Sequence, residues 1–224
     1  MRARISEVFE SIQGEGLYFG ERQIFVRFFG CNLSCHFCDT KLEDFDEYEP
    51  HELLYEINSH PENYHAISFT GGEPLLQKDF LKEALYYTRC YGYRNYLETN
   101  GTLPDELSEV IDFLDIIAMD LKLPSSAGLE KSYWEKHRDF LKIASRKQVF
   151  LKAVISGSTS EEDLVAAIDL IKEADQSAVL VLQPDSNEDY ALLEGKLEGF
   201  KDICTREGIT ACIIPQLHKR IGIK

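Results

Sequence analysis

Seven short apolar runs, rich in β-branched and aromatic residues, recur along the chain at residues 23–29, 66–69, 94–97, 116–119, 149–155, 178–182 and 210–214. Most intervals between them carry helical periodicity. Residues 77–91 place Phe80, Leu81, Ala84 and Leu85 at three- and four-residue spacing, the repeat of one helix face. Ser158-Thr159-Ser160 followed by Glu161-Glu162-Asp163 supplies capping hydroxyls and first-turn acids to another helix, which continues through Leu164, Ile168, Leu170 and Ile171. A third helix is expected from about residue 187 to 206, stopped by Gly208. Alternating strands and helices favour parallel strands joined by right-handed crossovers. About six parallel strands are too few for a closed eight-fold barrel. The expected fold class is therefore α/β, a partial (β/α) barrel of about six parallel strands. Ligands in such a sheet gather beyond the C-terminal strand ends.

The 224 residues suit a single domain spanning 1–224, with a loop at 30–40 above the sheet and a C-terminal cap at 208–224. No apolar run approaches the roughly 20 residues that span a bilayer, so no membrane partner is expected. Met1-Arg2-Ala3-Arg4-Ile5-Ser6 has basic residues without an apolar stretch behind them, so a cytoplasmic location is expected. The formal net charge of −15 repels phosphate backbones, which disfavours nucleic acid as a partner. It leaves room for a small anionic substrate, which needs one or two placed cations.

Three of the six cysteines fall within eight residues, Cys31, Cys35 and Cys38, in the order C-x3-C-x2-C. Cys90, Cys204 and Cys212 are scattered and expected to pack in the core. A clustered trio without an export signal points to a metal site rather than to disulfides. Three thiolates can wrap one iron–sulfur cubane and leave its fourth iron open to a small molecule. The alternative is a closed zinc site with His36 as fourth ligand, although His36 directly adjoins Cys35. A catalytic disulfide fits less well, since the trio is not an isolated C-x-x-C pair.

The trio after the first strand, followed one strand later by Thr70-Gly71-Gly72-Glu73-Pro74, resembles the radical S-adenosylmethionine (SAM) enzymes. The resemblance implies a [4Fe-4S] cluster on Cys31, Cys35 and Cys38 whose open iron is chelated by SAM. It also implies reductive cleavage of SAM to a 5′-deoxyadenosyl radical, with the electron drawn from a flavodoxin-like or other reductant. By the same resemblance Phe37, Cys38, Asp39, Gly71, Gly72, Glu73, Asp120, Leu121, Lys122 and Gln183 would contact SAM. Asp120-Leu121-Lys122 departs from the Ser-Pro-Lys often found at that turn of the family. Taken alone, Glu98 and Lys122 read as solvated loop charges.

Glu7-Val8-Phe9-Glu10-Ser11-Ile12-Gln13-Gly14-Glu15-Gly16, Arg27, Asp39-Thr40 and Pro215-Gln216-Leu217-His218-Lys219 narrow the resemblance. Together with the short length they look like the 7-carboxy-7-deazaguanine synthase family. That family converts 6-carboxy-5,6,7,8-tetrahydropterin to 7-carboxy-7-deazaguanine with loss of ammonia, in queuosine and 7-deazapurine biosynthesis. What the resemblance implies for the substrate is contact with Ile12, Gln13, Gly14, Arg27 and Thr70. It further implies Mg²⁺ on the Thr40 hydroxyl, a role for His218, and a homodimer. Chemically, Arg27 suits a carboxylate, because its planar fork of donors matches two oxygens. A glycyl-radical activase, with the same cysteine pattern and small size, is the competing enzyme reading. A metal-bound interaction module without catalysis is the competing reading from another class.

Overall fold

A computed structural model describes residues 1–38, 40, 43–60, 63–217, 219 and 222. The chain opens with β1 (Ala3–Ile12), which runs antiparallel to β2 (Arg22–Phe28), and β3 (Asp46–Tyr48) pairs along the other side of β1. Then come β4 (Ala66–Gly71), β5 (Asn95–Thr99), β6 (Ile116–Asp120), β7 (Gln148–Ile155), β8 (Val179–Pro184) and β9 (Ala211–Ile213). Among the described residues these form one nine-stranded sheet in the order β3-β1-β2-β4-β5-β6-β7-β8-β9. From β2 to β9 every neighbouring pair is parallel. The seven apolar runs thus become seven parallel strands, and the sheet curls as an open, partial barrel.

The crossovers are helical. α1 (Pro50–Ser59), α2 (Lys78–Cys90), α3 (Pro104–Val110), α4 (Pro124–Ala127), α5 (Trp134–Ala144), α6 (Glu161–Ala174) and α7 (Tyr190–Arg206) fill the intervals. Their starts follow local chemistry. Ser160 caps α6, its hydroxyl accepting from the Asp163 amide at 3.2 Å. At α1, Glu49 and Glu52 form a capping box around Pro50, which satisfies amides that the first turn leaves without partners. α7 ends before Gly208, whose φ of +78° suits a left-handed stop.

Period-two alternation sorts each parallel strand onto two faces. Ile24, Val26, Phe28, Ile67, Phe69, Leu97, Ile117, Met119, Leu151, Leu180 and Leu182 point toward the helices and join the main core. The opposite face changes character along the strands. Low on the strands, Ala66, Tyr96, Ile116, Ala118, Phe150 and Val181 form a second apolar cluster, with Tyr18 packed against it. Nearer the C-terminal ends the same face carries Arg27, Thr70, Glu98, Asp120, Lys152 and Gln183, which all line one cavity. The floor is apolar and holds the barrel interior together, while the rim is polar and placed for chemistry.

Two sequence expectations need correction. Cys90 is exposed at the last residue of α2, so it is not a core residue; Cys204 is fully buried, as expected. Cys212 is half-buried because β9 is an edge strand, covered on one side only. Among the described residues no helix is long and apolar enough to cross a membrane.

Candidate active site

The cavity above the strand ends has a volume of about 600 Å³, within the range typical of small-molecule sites. It brings together most of the residues singled out from the sequence. Ile12, Gln13, Gly14, Arg27, Cys31, Cys35, Phe37, Cys38, Thr40, Thr70, Gly71, Gly72, Asp120, Lys122 and Gln183 all line it. Glu73 and Leu121 do not. Leu121 is buried in the main core, its amide held by the Lys152 carbonyl at 2.7 Å. Asp39 and His218 lie outside the described residues.

The cysteine loop leaves β2 and crosses the cavity mouth. Among the described residues no group of three His, Cys, Asp or Glu side chains converges as a single metal ion would require. Cys31, Cys35 and Cys38 all line this one cavity, as a cubane that takes one cysteine per iron would require. His36 gives zinc no fourth ligand on this wall. Its ring lies on Gly128, where an added Cβ would sit 2.2 Å from Nδ1, and it does not line the cavity. Burial pushes the Cys31 and Cys35 thiols up, and Lys122 opposes the shift at both.

Glu73 follows the two glycines but turns inward. Its carboxylate accepts from the Asn100 amide at 2.8 Å, the Leu75 amide at 3.1 Å and the Thr99 hydroxyl at 3.0 Å. The side chain therefore ties the end of β4 to the end of β5 instead of reaching the cavity. Burial pushes its carboxyl up to about 7, against these donors, which favour the charged form. A carboxyl whose folded-state pKa is raised contributes stability below its ordinary pKa and loses it as pH rises through the folded value. Relative to Glu73→Gln, wild-type apoprotein should therefore lose about 3 kcal/mol between pH 4.5 and 7, at about 1.4 kcal/mol per pH unit. Urea unfolding of both proteins across that range reads the difference directly; a gap that stays constant with pH would refute it.

The polar rim of the site begins as a hydrogen-bonded lattice. Gln13 donates from Nε2 to Gln23 at 3.1 Å and to Glu98 at 2.8 Å, and its Oε1 accepts from the Glu15 amide at 3.1 Å. Thr70 donates to the other Glu98 oxygen at 2.6 Å. Glu98 is thus a structural partner of Gln13 and Thr70, two of the five expected substrate residues, not a solvated loop charge. Arg27 is clamped by Glu7, Nε to Oε1 at 2.7 Å, and its guanidinium lies over the Phe9 ring, which stacks on Phe25. That clamp fixes the plane of the guanidinium and leaves its outer fork for a carboxylate.

A second lattice continues the first across β6 and β7. Lys152 Nζ lies 2.6 Å from Glu15 and 3.3 Å from Asp120, whose other oxygen is 2.9 Å from Lys122. Burial works against the Lys152 charge, yet Asp120, Glu15 and Glu98 outweigh it and the pKa rises. Lys122 behaves alike and also sits 5.3 Å above the Phe37 ring, a cation–π distance. It too is no solvated loop charge. Gln183 Oε1 is buried without a partner among the described residues, a group that a bound ligand would satisfy. The C-terminal segment returns here, with the Leu217 amide donating to the Gly14 carbonyl at 2.8 Å and Gln216 bonded to Glu15.

Sequence reasoning missed Glu7, Glu15 and Lys152 as individuals. Lys152 carried a signal, a lysine inside the apolar run from Val149 to Ile155. Glu7 and Glu15 sat within a segment valued for its resemblance, with no role of their own.

Comparison with known proteins agrees with this geometry. The model of the Radical SAM superfamily matches residues 25–193. A 7-carboxy-7-deazaguanine synthase from Geobacter sulfurreducens is 34% identical, covering 98% of this chain and 97% of its own. One from Archaeoglobus fulgidus is 35% identical, covering 100% of both. Among solved structures, QueE from Escherichia coli superposes with a TM-score of 0.66 over 95% of this chain and 94% of its own, at 20% identity. That likeness establishes the same fold. The chain belongs to the radical SAM superfamily and, within it, to the 7-carboxy-7-deazaguanine synthase family.

Proposed function

We propose that this chain converts 6-carboxy-5,6,7,8-tetrahydropterin to 7-carboxy-7-deazaguanine with release of ammonia, the ring contraction of 7-deazapurine biosynthesis. The observation that carries the reading is the convergence of the cysteine trio, Gly71-Gly72 and the Gln13–Arg27–Thr70 set on one cavity. When bound, the [4Fe-4S] cluster on Cys31, Cys35 and Cys38 and the SAM beside it would supply one-electron radical chemistry to the pterin. Everything else falls to the chain's own groups.

Cys31, Cys35 and Cys38 would hold the cluster. The backbone at Gly71 and Gly72 would meet SAM, with Phe37, Asp120, Lys122 and Gln183 around it. Arg27, with its plane fixed by Glu7, would receive the substrate carboxylate, and Ile12, Gln13, Gly14 and Thr70 would hold the bicyclic ring. Gln13 and Thr70 already spend donors on Glu98, so the site is organised before substrate arrives, which lowers the entropic cost of orientation.

Thr40 lines the same cavity, and its hydroxyl would complete a Mg²⁺ shell otherwise made of water and substrate oxygens, as that hard ion prefers. The electron donor is expected to be flavodoxin-like or another small reductant, and the family resemblance supports a homodimer.

The test is anaerobic turnover of reconstituted protein with SAM, reductant, Mg²⁺ and the carboxylated pterin, followed by mass spectrometry. 7-Carboxy-7-deazaguanine is the expected product. Cleavage of SAM to deoxyadenosine without it would refute the substrate assignment. Thr40→Val should raise the Mg²⁺ concentration needed for half-maximal rate by about tenfold, the order lost with a supporting metal contact. An unchanged Mg²⁺ dependence would remove Thr40 from the metal shell.

A further inference from the structure

We infer that Asn100 is a positioning residue that sets the reduction potential of the cluster, through a hydrogen bond from its side-chain amide to the sulfur of Cys31. The inference rests on the cluster assignment to Cys31, Cys35 and Cys38.

Asn100 lies at the end of β5, nearly buried, directly behind the cysteine loop. Its amide has two donors and two acceptor positions, and all four are used. Nδ2 donates to Asn32 Oδ1 at 2.8 Å and to Cys31 Sγ at 3.8 Å. Oδ1 accepts from the Thr102 amide at 3.1 Å and the Thr102 hydroxyl at 2.6 Å. This assignment fixes which way the amide faces. Flipped, it would set oxygen against the Asn32 oxygen and an NH₂ against the Thr102 amide.

The surroundings lock that orientation. Asn32 Nδ2 donates to the Thr102 hydroxyl at 2.9 Å, which closes a ring of three side chains. The Asn100 backbone is held at both ends. Glu73 accepts from its amide at 2.8 Å, and His137 Nε2 meets its carbonyl at 3.1 Å. A carbonyl only accepts, so the His137 proton resides on Nε2. Burial pushes His137 down to about 4, which keeps the ring neutral.

Among the described residues Cys31 is the cysteine of the trio whose sulfur receives N–H donors, from Asn100 and from the Leu33 amide at 3.4 Å. When a cluster gains an electron, part of the added charge falls on its cysteine sulfurs. An N–H aimed at such a sulfur is then strengthened, so the reduced state is favoured and the potential rises. The electron comes from the external reductant, and no bond within the protein is made or broken. Asn100 would thus ease the reduction that starts each turnover.

The experiment is a redox titration of reconstituted holoprotein, followed by the EPR signal of the reduced cluster. It compares wild type with Asn100→Leu, which removes the donor, keeps the branching at Cγ and adds no charge. Thr102→Val is the control, because it breaks the side-chain ring but keeps the N–H on sulfur. Wild-type signal tests the cluster reading, and the difference between variants tests the inference. Asn100→Leu should hold about tenfold less reduced cluster at a fixed low potential, equal to about 59 mV for a one-electron couple. Thr102→Val should titrate with wild type. Equal potentials for wild type and Asn100→Leu would overturn the inference, and so would an equal shift in Thr102→Val. Asn100→Ala carries the same test if the leucine variant does not fold. Resonance Raman gives a second readout, since losing the bond should raise the Fe–S(Cys) stretching frequency; an unmoved band would count against it.

Discussion

Cys35→Ala is expected to abolish formation of 7-carboxy-7-deazaguanine while leaving the apoprotein as stable as wild type, within about 0.5 kcal/mol. The two halves of that expectation have different causes. On the proposed assignment, loss of one thiolate would leave two ligands for a cluster that needs three, and the open iron proposed for SAM would be lost with it. Stability is spared because the cysteine loop is fastened by other groups. The His36 amide donates to the Ala127 carbonyl at 3.0 Å, and Asn32 is bonded to both Asn100 and Thr102. Cys35 itself is only half-buried. Cys204 offers the converse. It is fully buried on α7 within the main core, so Cys204→Ala should cost about 1 kcal/mol and leave turnover intact. Urea unfolding of the apoproteins beside product assays would read both. Residual product from Cys35→Ala would remove that residue from the cluster.

The strands that carry the site were legible because both of their faces are apolar low in the barrel. That produces continuous runs such as Ile116-Ile117-Ala118-Met119 rather than alternation. β1 was not legible for an opposite reason. Its register shifts between Ile5 and Glu7, which breaks the period-two pattern, and it carries Glu7 and Glu10 on its length. Both charges make sense only with partners far along the chain, Arg27 for Glu7 and Tyr64 for Glu10. β3 is three residues long and acidic, too short to leave a signal.

The site divides along the same line. Cysteines and paired glycines announce themselves because few other roles need them at that spacing. Lys152 does not, since a lysine in an apolar strand is explained only when Glu15, from a loop 137 residues away in sequence, is brought to 2.6 Å. Glu73 shows a subtler limit. The motif was legible, but the side chain serves Asn100 and Thr99, and sequence spacing alone cannot tell an inward carboxylate from one that faces a ligand.

Gly72→Ala should disrupt both fold and cluster assembly, with an expected loss of about 3 kcal/mol or more. An ideal Cβ at Gly72 would lie 2.0 Å from the Gly30 carbonyl oxygen, 2.5 Å from its carbon and 3.0 Å from the Cys31 nitrogen. These are backbone atoms, so no rotamer change relieves the overlap. Relief requires the ends of β2 and β4 to separate, and that would break the bond from the Glu73 amide to the Gly30 carbonyl at 2.9 Å. It would also carry Cys31 away from Asn100. At Gly71 the constraint is doubled: φ is +123°, and a Cβ would fall 2.3 Å from the Phe28 oxygen. The glycine pair is therefore a contact between two strand ends before it is a ligand surface. Gly199 on α7 is the control, with no atom within 4 Å of its ideal Cβ. There, Gly199→Ala should stabilise by about 0.5–1 kcal/mol, since alanine favours helix and nothing has to move. Iron per chain after reconstitution should fall sharply in Gly72→Ala and stay at the wild-type value in Gly199→Ala. If Gly72→Ala instead unfolds at the wild-type urea midpoint with full iron loading, the strand ends are more compliant than this packing allows. The cysteine loop would then owe its position to the Asn32–Asn100–Thr102 ring and the bond from the His36 amide to the Ala127 carbonyl.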